Sequence, residues 1–153
     1  MKIMVERIPE EGSRYTGDEA GSIIEAEQEQ FIRNPKDIHY ELYAQRVSDE
    51  LVVRGVLDVD LDLQCARCSE FFSTTVSVSD FLRAYPALKG TDSVDLTDDF
   101  REEILLHIPG FTVCSDSCKG ACPQCGIDLN KGSCTCGAED GPDAWSALES
   151  LNL

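Results

Sequence analysis

Apolar residues fall every second position from Ile38 onward. Ile38, Tyr40, Leu42 and Ala44 share one face, and His39, Glu41, Tyr43 and Gln45 share the other. Ser48-Asp49-Glu50 supplies a turn. Leu51, Val53, Gly55, Leu57, Val59, Leu61 and Leu63 then alternate with Val52, Arg54, Val56, Asp58, Asp60 and Asp62. An apolar row backed by an acidic one is the pattern of a strand with one face on a core and the other in water. Phe72, Thr74, Val76 and Val78 continue the scheme, so the three runs predict an antiparallel meander joined by short connections.

The flanks read differently. Residues 1–8 predict a short strand ending at Ile8-Pro9. Glu10-Glu11-Gly12-Ser13 is a turn, and Ser22 to Arg33 fits either a marginal helix or an extended excursion closed by Asn34-Pro35. After the meander, Phe81 to Tyr85 predicts a helical turn before Pro86, and residues 87–95 a polar loop. Leu96, Phe100, Ile104 and Ile108 recur every four residues with Leu105 beside them, which predicts an amphipathic helix. Thr97 is its expected N-cap, and Asp98, Asp99, Glu102 and Glu103 set negative charge towards its N-terminal end. Pro109-Gly110 stops it. Asp143 to Leu151, with Trp145, Leu148 and Leu151 on one side, predicts a short closing helix.

The cysteines change the picture of the C-terminal third. Six of the eight lie between Cys114 and Cys136, in a run poor in large apolar residues, and the other two form the pair Cys65-Ala66-Arg67-Cys68 between the second and third strands. Core cysteines scatter along elements, whereas these come in close pairs set among turn residues, as metal ligands do. Eight ligands divide into two sites. Cys122, Cys125, Cys134 and Cys136 form a local zinc-ribbon-like set, with Gly126 permitting the knuckle turn; Cys65, Cys68, Cys114 and Cys118 form a second set that clips the hairpin to the segment after the helix. The expected cofactor is zinc, two ions in all.

Rival readings of the cysteines are weaker. A disulfide framework fits the count, but Met1 to Arg7 lacks the apolar run of a signal peptide and nothing approaches a membrane span, so a reducing cytoplasmic setting is expected. Thioredoxin-like chemistry wants a C-x-x-C that opens a helix, not one between strands. The Cys118-x3-Cys122-x2-Cys125 spacing resembles a radical SAM loop, yet the large barrel such a loop serves has no room here. An iron–sulfur centre stays open, because thiolates alone do not separate iron from zinc.

The expected architecture is α+β: an antiparallel meander with a packed helix over residues 1–109, and a cysteine-rich zinc-binding segment over 110–153 fastened to it through Cys65 and Cys68. No catalytic set is visible and no small-molecule substrate is indicated. His39 sits on a strand as the partner of a neighbouring acid. His107 occupies the last helical turn, where positive charge suits the dipole. The row Asp58, Asp60, Asp62 reads as a solvated strand face. The net charge of −16 argues against a broad phosphate-binding surface. Two four-thiolate zinc sites, each adding 4×(−1)+2 = −2, would take it to about −20.

Read together, several stretches resemble the YceD family, the large ribosomal RNA subunit accumulation proteins. They are Cys65-Ala66-Arg67-Cys68 with Phe71 and Phe72, then Asp95-Leu96, Arg101 to Leu106 and Pro109, and the pattern C-x3-C-K-G-x-C-P-x-C-G-x-x-L-N with its closing C-x-C over Cys114 to Cys136. The resemblance spans about residues 38–151. Ser69 and Ala121 stand where leucine is usual in the family. It implies a cytosolic bacterial factor that supports accumulation of large-subunit ribosomal RNA, and so ribosome biogenesis. With the acidic charge, the expected partner is a large-subunit precursor met mainly through basic ribosomal proteins. Arg67, Lys119 and Lys131 around the knuckles would provide local contact with rRNA. The alternatives are an enzyme or redox protein acting on rRNA or a modifying partner through a metal or reactive thiol, and a zinc adaptor unrelated to ribosomes.

Overall fold

The computed structural model describes residues 1–87 and 90–136. Its spine is β5 (Glu50–Gln64), a 15-residue strand that pairs along its length with β6 (Phe71–Pro86). On its other side β5 meets first β4 (Ile38–Val47) and then the two-residue β3 (Ile32–Arg33). β2 (Ser13–Glu19) adds beyond β4, which gives a five-stranded antiparallel sheet. A second, two-stranded sheet joins β1 (Lys2–Met4) to β7 (Ser93–Asp95). Helix α1 (Thr97–His107) packs on the sheet, so the fold is mostly antiparallel β with helical elements.

The period-two rows become the core. Ile38, Leu42 and Ala44 of β4, Leu51, Val53, Leu57, Val59, Leu61 and Leu63 of β5, and Val76 and Val78 of β6 are all buried. Gly55 interrupts the β5 row for a steric reason. A Cβ there would stand 2.1 Å from the Glu41 carbonyl oxygen, inside any tolerated contact. Beside it the β5–β6 register slips, and Ser79 and Asp80 stand opposite the lone Val56 as a bulge.

That bulge corrects the reading of Phe81 to Tyr85, which is not a helical turn but the continuation of β6. One extra residue reverses which parity faces inward. Val78 and Phe81 both point to the core, so the alternating row breaks between them. Past the bulge, Phe81 meets Phe100 of α1 edge to face, with centroids 5.5 Å apart. Arg83 reaches Asp99 at 3.1 Å and also pairs with Glu103, and the Tyr85 hydroxyl donates to Asp99. The acids that sequence assigned to the helix dipole therefore also fasten α1 to β6.

Other departures share one cause, a partner far away in sequence. Residues 93–95 of the expected polar loop form β7, because Val94 pairs with Ile3. Ser22 to Arg33 is no α-helix; it consists of 3-10 turns at Gly21–Ile24 and Ala26–Gln28 followed by β3, with Ile24 and Ile32 buried. Thr97 opens α1 without capping it. Asp95 Oδ1 instead accepts from both the Thr97 amide (3.1 Å) and its hydroxyl (2.6 Å). The expected helix at Asp143 to Leu151 lies outside the described residues.

Candidate metal centre

The tip of the β5–β6 hairpin is built to aim two thiols at one point. The Cys65 amide donates to the Glu70 carbonyl (2.8 Å), the Ser69 amide donates to the Cys65 carbonyl (2.9 Å), and Ser69 takes a left-handed φ of 63° to close the turn. The segment after α1 then docks on it. The Ala66 amide donates to the Thr112 carbonyl, and the Thr112 hydroxyl donates to the Gln64 carbonyl at 2.9 Å. Gly120, with φ +78°, lies against the Arg67 carbonyl, 3.2 Å from where a Cβ would be, and the Ala121 amide donates to that same oxygen.

This folding brings Cys65, Cys68, Cys114 and Cys118 together, their sulfurs all within 4.8 Å of one another. The Cys65–Cys118 and Cys68–Cys114 separations are both 3.9 Å. Four thiolates about 2.3 Å from a central zinc would stand about 3.8 Å apart in a regular tetrahedron. Cys65, Cys68 and Cys118 are buried beneath Phe72 and Val113. Asn130, the last residue of the C-G-x-x-L-N stretch, completes the surroundings. Its Nδ2 donates to Cys118 Sγ (3.3 Å) and its Oδ1 accepts the Lys119 amide (2.8 Å).

Cys122, Cys125, Cys134 and Cys136 form the second group, also within 4.8 Å of one another. Here the Cys122 amide donates to the Ile127 carbonyl, and the Gly126 amide, at φ +73°, donates back to the Cys122 carbonyl. Cys134 lies 3.3 Å from Cys122 and 3.4 Å from Cys125. Cys125 and Cys136 are exposed, so this group sits nearer water than the first. The two groups of four are those drawn from the spacing.

Electrostatics within each group favour a cation. Burial alone disfavours a Cys65 thiolate, yet the backbone N–H groups of Cys68, Cys114 and Arg67 aim at it and bring its pKa down to about 6. At Cys122 the amides of Cys125 and Gln124, helped by the Cys134 thiol, do the same, again to about 6. Their neighbours move the other way. The Glu70 amide pulls Cys68 down, but burial and the surrounding sulfurs outweigh it and its pKa rises. Cys134 rises likewise, the sulfurs of Cys122, Cys136 and Cys125 outweighing the Cys136 amide. One thiolate forms readily in each group and makes the next costly, so four together need a positive centre.

Of the three basic residues expected to face a partner, all are exposed, and two also have local work. Arg67 Nη1 donates to the carbonyls of Asp116 (3.0 Å) and Cys118 (3.3 Å), and Lys131 Nζ pairs with Glu70 at 2.7 Å. His39 bonds Asp18 through Nδ1 at 3.0 Å, as expected of a strand histidine. Asp58, Asp60 and Asp62 accept hydroxyl hydrogens from Ser77, Thr75 and Ser73 of β6. No helix among the described residues is long and apolar enough to cross a membrane.

Fold and site together define a sheet protein carrying two groups of four thiols, each able to hold one metal ion. Comparison with known proteins finds likeness over part of the chain. Residues 82–152 match the model described as large ribosomal RNA subunit accumulation protein YceD. Over 58 residues the chain is 34% identical to an Arabidopsis thaliana protein named as a chloroplastic homolog 1 of YCED, a match that covers 38% of this chain and 18% of that one. Over 104 residues it is 33% identical to an uncharacterized protein of Mycobacterium bovis, covering 58% of this chain and 50% of the relative. Uncharacterized proteins of Mycobacterium tuberculosis match to the same extent. The chain thus spans half or less of the length of these curated relatives. No solved structure matches it. The chain is YceD-like, and its family match takes in α1 and the six C-terminal cysteines while starting beyond Cys65 and Cys68.

Proposed function

We propose that this chain is a non-enzymatic, zinc-fastened factor that supports accumulation of large-subunit ribosomal RNA in the cytoplasm and so takes part in ribosome biogenesis. The observation that carries the reading is the pairing of a YceD match with two complete sets of four sulfurs. A zinc ion with four protein thiolates has no open position for substrate, which is the pattern of structural rather than catalytic sites. In this reading Cys65, Cys68, Cys114 and Cys118 hold one ion and fasten the hairpin to the chain beyond α1. Cys122, Cys125, Cys134 and Cys136 hold the other in a zinc-ribbon-like fold. The partner is a large-subunit precursor, met through basic ribosomal proteins that suit the net charge of −16, with Arg67, Lys119 and Lys131 as a local contact to rRNA.

The low thiol pKa of Cys65 and Cys122 favours a second reading, in which a reactive thiolate does redox or transfer chemistry. Elemental analysis combined with thiol titration separates the two. The structural reading expects about two zinc ions per chain and no thiol that reacts before denaturation. Less than one ion per chain, or a fast-reacting cysteine in the folded protein, goes against it. Co-sedimentation with ribosomal precursors tests the partner, and absence from both precursor and free ribosomal-protein fractions would sink that part.

A further inference from the structure

The two outer strands of the main sheet are defended very differently. An open strand edge presents unpaired amides and carbonyls to any passing chain, and proteins usually blunt it with charge, proline or a covering element. β2 carries Arg14, Asp18 and Glu19 within its seven residues. From Phe71 to Ser79, β6 carries no charged residue at all and is rich in Thr, Val, Ser and Phe. Among the described residues no strand pairs with the side of β6 away from β5.

Beside that edge runs a groove of about 310 Å³, between β6 and the segment that follows α1. Phe72, Thr74 and Val76 line one wall, and Pro109, Phe111 and Val113 the other. Phe111 is 66% exposed, an unusual position for a large apolar side chain next to a strand edge. On the opposite face of β6, the hydroxyls of Ser73, Thr75 and Ser77 donate to the carboxylates of Asp62, Asp60 and Asp58, an acidic row one strand in from the edge, with Asp62 also accepting from Asn34 on its far side. A strand added to β6 would lie about 10 Å, two strand spacings, from that acidic row, a distance lysine and arginine side chains cover together with the carboxylates' own reach.

We propose that the Phe71–Ser79 edge of β6 is a docking site for an extended segment of a basic partner protein, in which lysine or arginine alternates with apolar residues. Strand addition explains the open backbone, since main-chain hydrogen bonds give affinity and alternate side chains give specificity. Apolar side chains of the segment enter the groove against Phe111 and Val76. Its basic side chains lie over the row Asp58, Asp60, Asp62. The inference rests on the proposed function for the identity of the partner as a basic ribosomal protein, and adds to it the surface used and the pattern recognised.

The test uses the full zinc-loaded chain and a labelled short peptide alternating lysine with valine, followed by fluorescence anisotropy. The peptide is expected to bind, a glutamate–valine peptide not to. Backbone N-methylation on one alternating set of residues should abolish binding, and methylation of the other set should leave it intact, because a strand turns only half its amides to each neighbour. Phe111→Ala and the triple change Asp58→Asn, Asp60→Asn, Asp62→Asn should each weaken it at least about tenfold. Equal binding of the two methylated peptides, or of a lysine–glycine peptide, would show attraction by charge alone and overturn the proposal. So would binding that emerges only after removal of residues 137–153, which would give the edge to the chain's own C-terminal segment. Co-sedimentation of the unaltered chain with ribosomal precursors, without peptide binding, defeats this inference and leaves the proposed function standing. Peptide binding without co-sedimentation does the reverse.

Discussion

The sheet and the cysteine-rich segment solve the same problem by different means. Residues 1–108 bury a continuous apolar core, from Ile3 through the rows of β4, β5 and β6 to Phe100 and Ile104 of α1. Residues 110–136 contribute only Cys118 and Cys122 to the buried apolar set, and their larger side chains, such as Phe111 and Ile127, are exposed. A segment that buries so little cannot offset the entropy of ordering its backbone, which costs about 1–2 kcal/mol per residue. Hydrogen bonds to Gln64, Ala66 and Arg67 position it on the hairpin, and under the proposed reading metal at the sulfurs supplies the rest. The apolar core meets the cysteine cluster at Phe72, which packs against both, while Val113 packs against the cysteines.

The sharpest way to break that contrast is to strip metal. Structural zinc contributes folding free energy on the order of 10 kcal/mol or more in small sites. A strong chelator is therefore expected to abolish hydrogen-exchange protection and protease resistance across residues 110–136, while amides of β4, β5 and most of β6 keep theirs. Loss of protection across both regions at once, or in neither, would show that the two are not held separately.

The converse change should cost less and fall on the other side. Phe100 is fully buried between Phe81 and Tyr40. Phe100→Ala is expected to destabilise the sheet by about 3–5 kcal/mol, read from denaturant unfolding, with the local group Cys122 to Cys136 still binding its ion in the folded protein. A change below about 1 kcal/mol would mean that α1 is not part of the sheet's cooperative unit.

The smallest effect concerns pH, where the two regions should oppose each other. His107 accepts a raised pKa because its Nδ1–H donates to the Glu103 carbonyl (2.8 Å), and despite some burial its Nε2–H reaches Asp80 at 3.2 Å. A group whose folded pKa is raised contributes stability that is full below its unfolded pKa and lost as pH rises through the folded one. Metal-bound thiolates behave oppositely, since protons compete with the ion and binding strengthens as pH rises. Thermal melts between about pH 5 and 8 should show the sheet weakening slightly, and metal retention improving, as pH increases. His107→Gln should flatten the first trend alone; an unchanged slope in that variant would remove His107 as its source.

How much of this was visible in sequence depended on the range of the interactions involved. The rows of β4 and β5 are local patterns, and each alternation predicted its buried face. The helix was equally plain, because Leu96, Phe100 and Ile104 mark one stripe. Legibility failed at Ser79-Asp80, where a bulge reverses the parity. It failed again at β2, where Tyr15 and the small Gly17 are the only inward clues, and at β7, whose partner is the N-terminus. The grouping of cysteines could be drawn because pairs must converge. Asn130 belongs to the quoted C-G-x-x-L-N pattern, but its role could not be drawn, since an asparagine after a turn aspartate usually serves only its own loop, and the fold shows it donating to Cys118.

The separation of ligands also orders events during synthesis. Cys65 and Cys118 are 53 residues apart in the chain, with the whole of β6, β7 and α1 between them. No ion can be shared by all four sulfurs of that group until the hairpin has formed and the helix has left the ribosome. The group from Cys122 to Cys136 needs only its own short stretch and is made last. Under the proposed reading, loading of the first site would mark the point at which a finished body is locked to the chain still emerging behind it.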